Sequence, residues 1–152
     1  MKRIHIVAGI IFNSDQSEIF ITKRPDHLHK GGFWEFPGGK VEAGESREQA
    51  MVRELEEEIG ITVTEQQAFQ HFDFDYTDKS LSFDFMLVTA FDGQPHGREG
   101  QQGGWVKIAD LANYRFPEAN DPVVKQVIAQ FGEVVFSSLG QVVRLARVED
   151  SW

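Results

Sequence analysis

Residues 39–61 read GKVEAGESREQAMVRELEEEIGI, and within them Arg53-Glu54-Leu55-Glu56-Glu57-Glu58 sets four carboxylates into five positions. Like charges three or four apart on a helix each cost about 0.2–0.5 kcal/mol. Glu54, Glu57 and Glu58 therefore predict that something positive collects beside them, and a divalent metal is the candidate. The ends of the helix follow from its flanks. Ser46 with Gln49 fits a capping box and Gly60 supplies a left-handed stop, so the helix is expected from Arg47 to Ile59. At about 100° per residue, Met51, Val52, Leu55 and Ile59 form an apolar stripe, with Glu54, Glu57 and Glu58 along its flank. Acids that serve solubility would centre on the opposite face, whereas acids bordering the core are closed over by neighbouring loops and strands.

Ahead of this helix stand Phe36-Pro37-Gly38-Gly39-Lys40 and a second turn, Glu42-Ala43-Gly44-Glu45. Glycines open dihedrals closed to other residues and let main chain approach a ligand closely. A glycine loop feeding an acidic helix predicts a metal and phosphate site in which a backbone carbonyl, that of Gly38, completes the metal shell. Glu57 and Glu58 are the expected ligands, and Glu54 either joins them or deprotonates the attacking water. Oxygen donors without Cys or His nearby favour Mg²⁺, with Mn²⁺ as a substitute. Arg53 is placed to pair with Glu45 or Glu57 and hold the site together. The alternative for the whole acidic run is a solvated helix face.

Composition sets limits on this reading. With 152 residues and 41% hydrophobic content, the chain is one domain able to bury its own core. The absence of cysteine excludes disulfides, thiolate zinc sites and a cysteine nucleophile. Met1-Lys2-Arg3 precedes a short apolar run, but His5 interrupts it and Asn13-Ser14-Asp15 arrives without a small-residue cleavage motif, so a cytoplasmic protein without a membrane role is expected. A net charge of −9 repels a nucleic-acid backbone, so no direct nucleic-acid binding is expected. A small polyphosphate carried in with its metals remains feasible, and a monomer is expected.

Alternation of apolar and polar residues predicts strands at Ile4–Phe12, Glu18–Lys23 and Phe33–Phe36, the first two joined as a hairpin through Asn13–Ser17. Phe72, Phe74 and Tyr76, then Leu81, Phe83, Phe85 and Leu87, predict two half-buried strands paired across Thr77–Ser80. Trp105–Ile108 predicts another strand. A second helix is expected with Asp121 as N-cap and Pro122 in its first turn, turning Val123, Val124, Val127, Ile128 and Phe131 inward. The sum is an α/β (α+β) protein, a mixed sheet with helices on both faces. No repeat, low-complexity tract or domain-separating linker interrupts it, and residues 132–152 form a C-terminal extension with no role assigned.

Gly39, then Glu45, then Arg53-Glu54-Leu55, Glu57-Glu58 and Gly60-Ile61 match every fixed position of the Nudix box, so the chain resembles the Nudix hydrolases. Outside the box, EIFITKRP, FWEFPGGK, GREGQ and FPEANDPV resemble the MutT group, and the likeness runs over about residues 1–131. That resemblance implies an α/β/α sandwich over a single domain at 1–131. It also implies metal-dependent hydrolysis of 8-oxo-guanine nucleoside triphosphates to a nucleoside monophosphate and pyrophosphate, which clears oxidised precursors and prevents mutation. Glu99, in the loop Gly97-Arg98-Glu99-Gly100, becomes a further metal ligand or an alternative general base. Arg24, His29 and the run Glu35, Phe36, Pro37, Gly38 match nucleotide-contacting positions.

Base recognition is implied at Asn120. Oxidation at C8 of guanine converts N7 into an N–H donor beside the O6 acceptor, and an Asn amide offers one acceptor and one donor together. The plainer role for Asn120 is a turn or cap residue before Asp121. Lys79 departs from the arginine expected there in the group and cannot reproduce a planar bidentate contact. The alternatives are a Nudix pyrophosphatase for other nucleotides or nucleoside diphosphate derivatives, and a nucleotide sensor without turnover. The sensor has no need of intact Glu54, Glu57 and Glu58.

Overall fold

The computed structural model describes residues 3–27, 31–132, 134–136 and 142–144. The first strand, β1 (Arg3–Phe12), is followed by β2 (Glu18–Lys23), the two-residue β3 (Trp34–Glu35), β4 (Gly38–Lys40) and helix α1 (Arg47–Ile59). The long strands β5 (Thr62–Asp75) and β6 (Ser80–Asp92) come next, then β7 (Gly103–Lys107), two short 3-10 turns at Ile108–Asn113 and Glu118–Asn120, and helix α2 (Asp121–Phe131). Beyond it, β8 (Val134–Phe136) and β9 (Val142–Arg144) pair with each other. The remainder of the C-terminal extension lies outside the described residues.

The main sheet runs β3-β2-β1-β6-β5, with β4 also on β1 and β7 also on β2. It is mixed: β1 and β6 are parallel from Arg3↔Ser80 to Ile11↔Val88, and the other pairs are antiparallel. One edge of β1 is shared. Its first half pairs with β4 at Ile6↔Lys40, Val7↔Gly39 and Ala8↔Gly38, and its last residues pair with β2 at Ile11↔Phe20 and Phe12↔Ile19. The Gly9 N–H donates to Pro37 O at 2.8 Å where the two partners part.

Alternation along the central strands creates two cores. Val7, Ile11, Met86 and Val88 face α1 and bury its Met51, Leu55 and Ile59. Ala8, Ile10, Phe12, Phe85 and Leu87 face the other way and bury Val123, Val124 and Val127 of α2. A helix thus covers each face of the sheet, as expected.

Helix α1 has the predicted boundaries, and its capping box is complete: Gln49 N–H donates to Ser46 Oγ and Ser46 N–H to Gln49 Oε1, while Gly60 stands at φ 72°. Five expectations are corrected. Strand β5 starts at Thr62, ten residues before Phe72, because ladder irregularities between Val63 and Gln70 break the alternation that marks a strand. Strand β6 is not half-buried, since Asp84 is 3% and Met86 0% exposed under α1. Phe33–Phe36 yields only the two residues of β3, and Ile108 opens a 3-10 turn where it was expected to end a strand. Asp121 is the first helical residue, with Asn120 in the cap position.

Candidate active site

Three elements bring the acids and the glycine loop together. Helix α1 supplies Glu54, Glu57 and Glu58, β4 lies beside it, and the β6–β7 loop carries Glu99. The β4–α1 approach is so close that a Cβ on Gly39 would stand 2.4 Å from the Glu54 carboxylate, and one on Gly38 only 1.9 Å from Val7 O. Space, not a left-handed backbone, demands glycine at these two positions. At Gly44 the demand is conformational, with φ at +83°.

Arg53 organises the entry to the helix. Its guanidinium donates to both Glu45 oxygens, at 2.6 and 2.9 Å, to Glu54 Oε1 at 2.8 Å and to Lys40 O at 3.0 Å. Glu57 is only grazed, at 3.5 Å. The hydrogen bonds from Arg53 hold Glu45 down to about 2, and the same bonds raise the pKa of Arg53.

The remaining acids are pushed the other way. Burial raises Glu54 against the pull of Arg53, and burial raises Glu35 against the pull of Arg24, whose Nη1 lies 3.2 Å from Glu35 Oε2. Glu58 is pushed up to about 8 by burial first and then by the carboxylates of Glu35, Glu54 and Glu99, although the Gly38 N–H donates to it. Glu57 is the open member of the set, with a side chain 56% exposed. Among the described residues, no three His, Asp or Glu side chains already stand in metal-holding geometry. The donor set nevertheless suits a hard divalent cation, because it is all oxygen and its mutual repulsion is what a positive ion relieves.

Beside the acids opens a cavity of about 270 Å³. Arg24, Glu35, Phe36, Gly38, Lys79 and Asn120, all singled out from sequence, share its wall. Pro37 does not line it; it is buried and its carbonyl holds Gly9. His29 lies outside the described residues. Phe36 is 4% exposed and stacks on Phe116 at 5.0 Å, so it is core and pocket floor at once. Asn120 makes no capping hydrogen bond, and its Nδ2 is 3.5 Å from Pro117 O.

Residues not anticipated add to the wall, among them Ile6, Ala8, Tyr76, Leu81 and Phe83. Tyr76 sits at the β5–β6 turn, where its N–H donates to Lys79 O, its ring centroid is 4.7 Å from that of Phe74, and Lys79 Nζ lies 5.9 Å from its centre. Burial, then the charge of Glu118, raises its hydroxyl pKa. The alternation of Phe72, Phe74 and Tyr76 was visible in the sequence, but which of them reaches a cavity depends on the hairpin's position beside β1.

A sequence profile of the NUDIX domain matches residues 7–126. The chain belongs to the Nudix family. Its Nudix box spans the end of β4, the turn and α1, so the matched positions are the ones whose geometry is described above. The chain is similar to the 8-oxo-dGTP diphosphatase of Escherichia coli K12, with 43% identity over 127 residues, 84% of this chain and 98% of that protein. The Haemophilus influenzae 8-oxo-dGTP diphosphatase is 44% identical over 127 residues, 84% of this chain and 93% of that one. Among solved structures, a MutT from work on Aliivibrio salmonicida and Vibrio cholerae is 94% identical, with a TM-score of 0.79 over 86% of this chain and 100% of that one. This Nudix chain is accordingly a hydrolase of the Nudix type, and among the described residues no helix is long and apolar enough to cross a membrane.

Proposed function

We propose that this Nudix hydrolase cleaves 8-oxo-guanine nucleoside triphosphates, 8-oxo-dGTP foremost and 8-oxo-GTP with it, to a nucleoside monophosphate and pyrophosphate, removing oxidised precursors before DNA replication. The observation that carries this reading is the shared cavity wall: Asn120, Phe36, Lys79, Arg24 and Glu35 border one space with Gly38, whose N–H donates to Glu58. A base at the Asn120 end leaves its phosphates directed toward the carboxylates. Similarity to the 8-oxo-dGTP diphosphatases supports the same substrate.

Glu57, Glu58, the Gly38 carbonyl and one or both of Glu54 and Glu99 would hold Mg²⁺, with Mn²⁺ as a substitute. Bound metal supplies charge neutralisation on the phosphate oxygens and a water of lowered pKa. The protein's own residues do the rest. Arg24 and Lys40 steady the anionic phosphates; Glu54 or Glu99 accepts the water's proton; Arg53 fixes Glu54 through the 2.8 Å bond. Water oxygen bonds to the β-phosphorus, the bridge to the α-phosphate breaks, and the leaving oxygen stays on the monophosphate. No covalent enzyme intermediate is needed. The Asn120 amide reads the N7–H donor and O6 acceptor of the oxidised base. The reading takes residues 1–131 as the catalytic unit, the protein as a cytoplasmic monomer, and a free nucleotide as its only partner.

A substrate panel tests it. With Mg²⁺ present, pyrophosphate and orthophosphate release are measured separately over 8-oxo-dGTP, dGTP, the other triphosphates and ADP-ribose. Pyrophosphate from 8-oxo-dGTP at the highest kcat/KM supports the reading, and equal or better turnover of another substrate sinks it.

A further inference from the structure

The C-terminal end of α1 poses an electrostatic problem that the helix does not solve by itself. That end carries the negative pole of the helix dipole and favours cations, yet α1 closes on Glu56, Glu57, Glu58 and Ile59 with no basic residue in its last turn. Its last carbonyls also need donors from elsewhere. Gly60 N–H serves Glu56 O at 3.1 Å. Ile61 N–H serves Leu55 O at 3.4 Å, and further donors come from the β6–β7 loop.

His96 N–H donates to Ile59 O at 3.1 Å, and Arg98 N–H donates to Glu58 O at 3.0 Å. The Arg98 guanidinium reaches Glu56 O at 2.8 Å, and the Gln101 amide donates to Glu58 O at 3.1 Å. Arg98 thus grips two carbonyls two positions apart, once with main chain and once with side chain, which fixes orientation as well as distance. It is also the cation the helix end lacks. Gln101 completes the hold by accepting the Glu99 N–H on its Oε1 at 2.9 Å. The loop is drawn tight around this bond, since a Cβ on Gly97 would lie 1.7 Å from Gln101 O.

Glu99 therefore has neighbours tied to α1 on both sides. Its carboxylate accepts no hydrogen bond among the described residues, and it lines an open cleft with Glu56, Glu57 and Arg98. We propose that Arg98 and Gln101 are positioning residues, a two-point latch on the C-terminal carbonyls of α1 that sets Glu99 at a fixed distance from the acids of the helix. This rests on the reading of Glu99 as a metal ligand or general base.

The test uses the 152-residue chain and five variants: Arg98→Ala, Arg98→Lys, Gln101→Ala, Glu99→Gln and the double variant Arg98→Ala/Glu99→Gln. Two quantities are read, the Mg²⁺ concentration giving half-maximal rate and the rise in Tm on adding Mg²⁺ without nucleotide. Arg98→Ala is expected to raise the half-activating Mg²⁺ concentration by about tenfold, as loss of a residue orienting a metal ligand does. It should shrink the Mg²⁺-induced rise in Tm, over and above the lowering of the metal-free Tm that loss of the helix-end cation itself brings. Gln101→Ala acts in the same direction. The double variant is expected to be no worse than Glu99→Gln alone, because both changes remove one function, and Arg98→Lys is expected to recover part of the loss.

Additive losses overturn the latch, as does a lowered metal-free Tm with unchanged Mg²⁺ dependence. Its failure is separable from failure of the underlying reading. A silent Glu99→Gln removes Glu99 from the site, and the latch with it. An impaired Glu99→Gln beside a normal Arg98→Ala overturns the latch alone.

Discussion

Glu58 is pushed up to about 8 by burial and by the carboxylates of Glu35, Glu54 and Glu99, and this makes the stability of the fold sensitive to a bound cation. Its ordinary value is 4.5, so between pH 4.5 and about 8 the folded state keeps a proton that the unfolded state has released. Stability of the metal-free protein must then fall as pH rises through that window. Thermal melts from pH 5 to 8 are expected to show this decline, with Mg²⁺ reversing it at pH 8 and Glu58→Gln abolishing it. Glu45, held down to about 2, has the opposite sign: its contribution is full above 4.5 and is lost as pH falls toward 2. Kinetically, Glu57→Gln or Glu58→Gln should lower kcat by orders of magnitude at saturating Mg²⁺. Glu54→Gln and Glu99→Gln compared side by side identify the base, whose loss costs roughly 10²–10⁴-fold. Asn120→Ala should leave phosphate chemistry intact and discard about 1–3 kcal/mol of base discrimination. Binding of 8-oxo-dGTP and dGTP, measured by inhibition with nonhydrolysable analogues, decides this. Equal weakening of both makes Asn120 a loop-shaping residue.

Helix α1 is tethered at its start as firmly as along its length. Arg47 Nη1 bonds Asp84 Oδ1 at 3.0 Å, and His5 and His71 bond the same carboxylate, at 2.5 and 2.9 Å. These bonds outweigh burial, so Asp84 stays below the usual carboxylate range. Asp84→Ala strands three partners, but each is more than a third exposed and recovers hydration. The expected loss is therefore about 1–3 kcal/mol, no more than the net worth of a few hydrogen bonds at about 0.5–1.5 kcal/mol each, and urea unfolding measures it. This cluster was not legible in the sequence, because alternation assigned Asp84 to a polar face and nothing local says that a helix end covers that face. The helix was legible, since its capping box, its stop at Gly60 and its apolar stripe are all local signals. The same contrast holds at the site. The box positions fall within one short stretch, residues 39–61, and could be read, whereas Tyr76 and Phe83 reach the cavity only through the pairing of β1 with β6 and of β6 with β5.

At the scale of the whole molecule, a chain of net charge −9 must admit a polyanion. Repulsion between like charges weakens with ionic strength, so kcat/KM at fixed Mg²⁺ is expected to rise modestly as NaCl goes from low to physiological levels. Single- and double-stranded oligonucleotides should not compete. A steep fall of kcat/KM with salt would instead reveal a basic entry route. The deeper constraint lies in the way β1 gives one edge to two strands, β4 at Ile6–Ala8 and β2 at Ile11–Phe12. Because β4 is only three residues long and hangs on that edge, its alignment decides which glycine meets Glu54 and which meets Val7. A slip of one residue exchanges the faces. The count of residues from the parting at Gly9 and Pro37 to the end of β4 at Lys40 is therefore a gauge length. A single-residue insertion at the exposed Ala43 turn leaves that alignment free to persist, whereas one between Phe36 and Gly38 shifts the whole frame, keeping the cores and losing hydrolysis.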